Sequence, residues 1–258
     1  MNKSEYLYVG CGNHRMKGFT HADISVYKAY KKQTIEQPEI ICDITKKIPL
    51  KNKTVKFIFS RDTLEHLTWK ELINHFIECN RILKENGIIR MSFPSFDKMI
   101  ERYKNKDEDL EQAIKNSEVS TLKAPIENHT DLFISRILYH DHYYLHNFDT
   151  MNRALSKCGF TDIQIKSVGD TSVPEIKDEI LKSEITEQKL GLQIEAKKSN
   201  KNIDIKKFDE KLPGNFIKYF LVKYFNIDIK PFYKRKPMFP NRYWFLEKII
   251  LIKKKLNR

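Results

Sequence analysis

Cysteine is scarce and scattered. Cys11, Cys42, Cys79 and Cys158 lie far apart with no C-x-x-C pair, so neither a zinc site nor a disulfide framework is suggested. Arginine is also scarce, 10 against 37 lysines, and arginine is the residue suited to bidentate recognition of phosphates and bases. No apolar run reaches the roughly 18 residues that a membrane-spanning helix needs. The opening residues, Met1-Asn2-Lys3-Ser4-Glu5, lack the apolar stretch of a secretory signal. No internal repeat is visible. These absences point to a reduced, cytoplasmic protein.

What is present is a chain of 258 residues, 40% hydrophobic, 12% aromatic and 31% charged. That composition supplies a sizeable core and excludes a disordered or fibrous chain. The net charge of +13 is unevenly spread: residues 211–258 hold 13 basic and 2 acidic residues, the first 210 hold 34 and 32. Eleven aromatics are interleaved with the lysines of this basic C-terminal extension. Three readings of it stay open. It could lie on an anionic membrane surface at the inner face of the membrane. It could hold single-stranded nucleic acid, a partner that the nearly neutral first 210 residues disfavour. Or its aromatics could pack on the rest of the chain or on a second copy in a homo-oligomer.

Short apolar runs punctuated by turns fill the first 95 residues and predict an α/β sheet. The expected strands are Tyr6–Val9, Gly18–Ala22 ending at Asp23, Glu39–Cys42 ending at Asp43, Val55–Phe59 ending at Ser60, and Ile88–Phe93 closed by Pro94. A helix is predicted over Trp69–Lys84. Thr68 and Glu71 have capping-box spacing, Leu72, Ile73, Phe76, Ile77 and Leu83 share a face, and Gly87 is a C-terminal stop. A second helix is expected over Thr150–Lys157, with Asp149 as its N-cap, followed by a strand through Ile163 and Ile165. Residues 104–128 look like an insertion or lid within a domain of residues 1–170. The charged stretch 171–210 looks like a helical linker before the extension at 211–258.

A strand, a Gly-x-Gly turn and an acidic residue ending the next strand make a nucleotide-binding geometry. The glycines allow a tight turn and a close approach of ligand to backbone. A carboxylate at the next strand's end can accept from two ribose hydroxyls. Here the parts are Gly10, Gly12 and Asp23. Arg15 stands where a dinucleotide fold has its third glycine, which argues against NAD or FAD.

The surrounding residues resemble class I S-adenosylmethionine (SAM)-dependent methyltransferases, in particular a compact "type 11" branch found with glycan biosynthesis. Tyr8-Val9-Gly10-Cys11-Gly12 and Gly18-Phe19-Thr20-His21-Ala22-Asp23-Ile24 resemble the family's first motif and second strand. Asp43-Ile44, Ile48-Pro49-Leu50, Leu64-Glu65-His66-Leu67 and Arg81-Ile82-Leu83-Lys84-Glu85-Asn86-Gly87 follow in the family's order. His146-Asn147-Phe148-Asp149 and Gly159-Phe160 match its late pattern. Glu85-Asn86 departs from the family's Pro-Gly.

The resemblance implies a Rossmann-like, doubly wound, seven-stranded and mostly parallel sheet that binds SAM. It implies that Gly10, Cys11 and Gly12 line the methionine portion, that Asp23 with Ile24 holds the ribose, and that Asp43 with Ile44 meets the adenine. Ser60 and Arg61 would lie near the methionine end. The implied partner is a small-molecule or sugar acceptor, its hydroxyl methylated in surface-polysaccharide biosynthesis.

A hydroxyl acceptor benefits from a general base near neutral pKa, and histidine is the usual group. The candidates are His66, His140, Asp141, His142 and His146. His140, Asp141 and His142 have ligand types that could equally hold a divalent metal, although no metal is expected. Two other functions remain open: an RNA or DNA methyltransferase using the basic extension, and a non-catalytic interaction protein. Against the nucleic-acid reading, Ser60-Arg61-Asp62-Thr63 stands where base-amine methyltransferases carry an N/D-P-P-Y/F motif.

Overall fold

The structure is a computed structural model that describes residues 4–24, 36–105, 127–131, 133, 142–185 and 190–199. All of them belong to the first of the two units into which the chain divides, Met1–Tyr27 with Lys32–Ile203. The expected insertion at 104–128 lies mostly outside the described residues, and the extension at 211–258 wholly so. No helix among the described residues is long and apolar enough to cross a membrane.

Seven strands form one sheet: β1 (Tyr6–Val9), β2 (Thr20–Asp23), β3 (Ile40–Ile41), β4 (Val55–Arg61), β5 (Leu83–Pro94), β6 (Phe160–Lys166) and β7 (Gly191–Lys198). Their order is β3-β2-β1-β4-β5-β7-β6. β1 to β5 run parallel, and β7 is antiparallel to both neighbours. Central strands buried on both faces read as continuous apolar runs, as Leu7-Tyr8-Val9 and Phe57-Ile58-Phe59 do. From β1 the chain winds outward through β2 and β3, then returns to add β4 on the other side. The carboxyl ends of β1 and β4 therefore flank a topological switch point, where open α/β sheets bind their ligands.

Helix α1 (Trp69–Ile82) starts at a complete capping box, Thr68 with Glu71. It buries Leu72, Ile73, Phe76, Cys79 and Ile82 against the sheet. The helix ends two residues before the expected boundary. Leu83 turns to extended backbone (φ −64°, ψ 138°) and pairs with Val55, so the chain passes straight into β5. Asn86 (φ 62°) makes the turn assigned to Gly87. Gly87 is required for space instead: a Cβ there would sit 2.9 Å from both Leu83 Cδ2 and Lys84 O.

Helix α2 spans Phe96–Asn105. Helix α3 (Phe148–Lys157) begins earlier than expected because Asn147, not Asp149, is its cap. Asn147 Oδ1 accepts from Thr150 N (3.0 Å) and Thr150 Oγ1 (2.9 Å). Asn80 of α1 donates to Cys158 O and Gly159 O at the far end of α3, so the two helices are joined by a buried amide.

The stretch expected as a linker is part of the domain. Residues 171–199 contain a 3-10 turn (Pro174–Ile176), helix α4 (Lys177–Glu184) and β7, which lies between β5 and β6. Val173, Ile176 and Ile180 pack on Tyr8, Phe19, Phe57 and Phe59 to form one core cluster. What holds these charged elements inside is Arg90 of β5, fully buried. Its Nε donates to Glu184 Oε1 (2.7 Å) and its Nη2 to Glu184 Oε2 (2.6 Å). Nη1 donates to Glu195 Oε1 (3.1 Å) and Asp170 O (2.6 Å), and Nη2 also to Ser167 O (3.1 Å). Every guanidinium N–H has an acceptor.

Removing one member of a buried ion pair leaves uncompensated charge and costs roughly 3–5 kcal/mol. Arg90→Met, which strands the carboxylates of Glu184 and Glu195, is therefore expected to lower unfolding free energy by about that amount in urea titrations. His75 of α1 is also buried, and burial holds its pKa at about 4 against an ordinary 6.5. The unfolded chain takes up this proton as pH falls below 6.5 while the folded chain resists until about 4. Stability present above pH 6.5 is lost across that window. His75→Asn should show a shallower loss than the parent when both are unfolded by urea through it.

Candidate functional site

The turn after β1 is built on two left-handed glycines, Gly10 (φ +66°) and Gly12 (φ +52°). Gly10 N donates to Ala22 O (2.8 Å), which anchors the turn on β2. Asp23, half-buried at the end of β2, braces it further. Its Oδ2 accepts from Gly12 N and its Oδ1 from Ile24 N, both at 2.6 Å. Burial raises the Asp23 pKa, and the two backbone N–H groups work against that rise. Cys11 points into the core, and burial pushes its thiol up to about 12. Arg15, at the missing third glycine, donates to Gly12 O (3.1 Å) and His14 O (2.8 Å) and clamps the loop from below.

Asp43 lies beyond β3, close to Asp23 because Cys42 N donates to Asp23 O (2.8 Å). Its Oδ1 accepts from Thr45 N (3.0 Å) and Thr45 Oγ1 (2.5 Å), while Oδ2 stands 3.4 Å from Lys46 Nζ. Ile44 is buried, and its carbonyl accepts from His75 Nδ1 (3.1 Å) when that nitrogen carries the proton.

Ser60 sits in register between Val9 of β1 and Met91 of β5. It is buried, and its Oγ has no hydrogen-bond partner among the described residues. Arg61 turns away to Ser183 O on α4 and to His14 Nε2 (3.0 Å). It is a strut between β4, the glycine loop and α4. Thr63 was not anticipated from the sequence. Its Oγ1 lies 3.0 Å from Gly10 O and 2.8 Å from Arg61 O, and its side chain fills the space above Gly10. A Cβ at Gly10 would collide with the Thr63 side chain. Only its place three residues past Ser60 hinted at this.

The histidines occupy the neighbouring corner. Leu64–His66 form a 3-10 turn after β4, and Glu65 O accepts from Tyr143 N (2.8 Å) and Tyr144 N (3.2 Å). His142 is thereby held over the turn, its ring edge-on to His66 with centroids 5.0 Å apart. The Glu65 carboxylate and the His66 and His142 ring nitrogens fall within 4.8 Å of one another. Glu65 is a second residue that the sequence did not single out, although it stands in the Leu64-Glu65-His66 motif. His146 is buried under this corner. Its ring stacks on Tyr144 (5.0 Å) and meets the edge of Phe93 (5.6 Å), and its carbonyl accepts from Phe96 N (2.9 Å). Burial lowers its pKa to about 4. His140 and Asp141 lie outside the described residues.

The close contact at Gly10 separates two costs. Gly10 (φ +66°) and Gly18 (φ +82°) are both left-handed, but a Cβ at Gly18 meets nothing within 4 Å. Gly18→Ala should lose about 1–2 kcal/mol, the cost of the left-handed region for an L-residue. Gly10→Ala must also displace Thr63, so its loss in urea unfolding should be clearly larger.

Residues 7–91 match the family model described as a methyltransferase domain. No curated protein matches the chain. Among solved structures, the chain is similar to phosphoethanolamine N-methyltransferase 2 from Haemonchus contortus in complex with SAM. Identity is 14% over 78% of this chain and 50% of that one, with a TM-score of 0.42. It is also similar to a SAM-dependent methyltransferase from Archaeoglobus fulgidus (15%, 76% and 87%, TM-score 0.44). A third is geranyl diphosphate C-methyltransferase from Streptomyces coelicolor A3(2) (12%, 76% and 75%, TM-score 0.42). The chain spans half the length of the Haemonchus protein. The seven-stranded sheet, with β7 antiparallel and the switch point between β1 and β4, is Rossmann-like and doubly wound, and residues 7–91 within it match the methyltransferase domain model.

Proposed function

We propose that this protein is a SAM-dependent methyltransferase that methylates a hydroxyl of a small-molecule or sugar acceptor. The observation that carries the reading is the Asp23 carboxylate bracing the Gly10–Gly12 turn at the switch point. Each carboxylate oxygen has about two lone-pair sites, and each Asp23 oxygen spends one on a backbone N–H. The remaining sites suit the two ribose hydroxyls of SAM. Asp43 Oδ1 is occupied by Thr45, so Oδ2 is the atom that would accept from the adenine amine, displacing Lys46. Gly10, Cys11 and Gly12 would offer backbone, and Ser60 its hydroxyl, to the methionine end. Arg61 would contribute by fixing the loop, since its guanidinium is held by Ser183 and His14.

The sulfonium donor is already activated. Alignment of acceptor oxygen, methyl carbon and sulfur for in-line displacement supplies much of the acceleration. His66 or His142, whose rings meet edge-on beside the turn after β4, would take the acceptor's proton. His146, held neutral and weakly basic by burial, serves as a positioning residue that packs Tyr144 against the turn. The sugar hydroxyl and a role in surface-polysaccharide biosynthesis follow from the resemblance of Gly10-Cys11-Gly12 and Leu64-Glu65-His66 to the type 11 branch.

Thermal unfolding with and without S-adenosylhomocysteine tests the cofactor. A ligand at ~100 times its Kd adds about 2.7 kcal/mol of stability. The parent should show a raised midpoint, and Asp23→Ala, folded by circular dichroism, should show little or none. A folded, cofactor-free parent with no shift would overturn the reading.

A further inference from the structure

The sequence places Glu65-His66 and His142 more than seventy residues apart; the fold brings them to one corner. Two backbone hydrogen bonds from Tyr143 and Tyr144 to Glu65 O fix the later segment on the 3-10 turn. Glu65 is only 1% exposed, and both histidines are half-buried, so this is a cluster set into the surface. Its three ligand atoms lie within 4.8 Å of one another. One carboxylate and two imidazoles are a mixed donor set that suits zinc, cobalt, iron or manganese better than magnesium or calcium. Three protein ligands leave coordination positions open, as catalytic metal sites do. The cluster begins two residues beyond Thr63, whose side chain packs on Gly10, so it stands beside the glycine turn.

We propose that Glu65, His66 and His142 bind one divalent cation. The sequence had offered a different set, His140, Asp141 and His142; the tertiary structure supplies His142 with partners from the turn after β4. Resting on the methyltransferase reading above, the open positions take the acceptor's hydroxyl oxygen. Bound there, the hydroxyl loses its proton to solvent more readily. The oxygen's electron pair forms the bond to the methyl carbon while the carbon–sulfur pair remains on sulfur, giving S-adenosylhomocysteine. In this arrangement His66 and His142 are ligands, and the cation replaces a histidine base.

The test is titration of the metal-free full-length protein with Co2+ and with Zn2+, followed by calorimetry and by the visible absorption of bound Co2+. The parent should bind one equivalent. His66→Ala and His142→Ala should each weaken binding by more than about 100-fold, the upper end of what losing an outer-shell partner costs. The S-adenosylhomocysteine midpoint shift, read on the same samples, should survive in both variants. Absence of saturable one-equivalent binding by the parent, or binding unchanged in both variants, would overturn the site. The cofactor shift separates the two proposals: metal binding can fail while the shift persists, and the reverse outcome would remove the methyltransferase reading but leave the metal site.

Discussion

The domain depends on the guanidinium of Arg90. It sits in the inner strand β5, at no solvent exposure, and its donors reach Glu184, Glu195, Ser167 and Asp170. The carboxylates are themselves shared: Gly169 N donates to Glu184 (3.1 Å) and Ser172 N to Glu195 (3.0 Å). One cation thus ties the sheet, α4 and the loop after β6 into a single hydrogen-bonded unit. A buried charge needs such complete pairing, because any donor left without an acceptor carries the full desolvation penalty. Replacement by apolar residues could be as stable, but it would not specify which elements meet.

That constraint reaches the site through α4. Ser183, one residue before Glu184, holds the Arg61 guanidinium, which also contacts His14 in the glycine loop. Burial and the nearby Arg61 and Arg15 lower the pKa of His14, and its neutral Nε2 can accept from Arg61. On the other side Asp23 and Thr63 clasp the same loop, one by backbone N–H groups and one by filling the space over Gly10. The glycine turn is therefore supported from three directions, by Arg61, Asp23 and Thr63. Preorganisation of this kind is what positioning catalysis requires.

Much of the first half was legible in the sequence. The runs at Tyr6–Val9 and Val55–Phe59 read as buried strands, and Thr68 with Glu71 announced the start of α1. Gly10, Gly12 and Asp23 marked the switch point before any topology was known. Other features were hidden. Residues 171–210 read as a charged helical linker, and within them Gln193, Glu195, Lys197 and Lys198 carry polar groups. In the sheet, however, Gln193 Nε2 donates to Ser92 Oγ (3.1 Å) and Lys198 Nζ to Leu83 O (2.8 Å). The polar residues of β7 have partners about a hundred residues away, and no local pattern reveals them. The Asn147 cap was missed for a smaller reason: Asp149 is an equally good capping type, and only the extended backbone at Asn147 decides between them.

The sequence by itself determined the α/β alternation, the tight glycine turn and the acidic residue ending β2, because each follows from local periodicity, backbone freedom or side-chain chemistry. Only the tertiary structure decided that the charged stretch 171–199 completes the sheet and that His142 meets Glu65 and His66. Both are pairings of polar groups distant in sequence. Their stability comes from mutual desolvation and hydrogen bonding in the folded state, so the information lies in the contact and in neither segment alone.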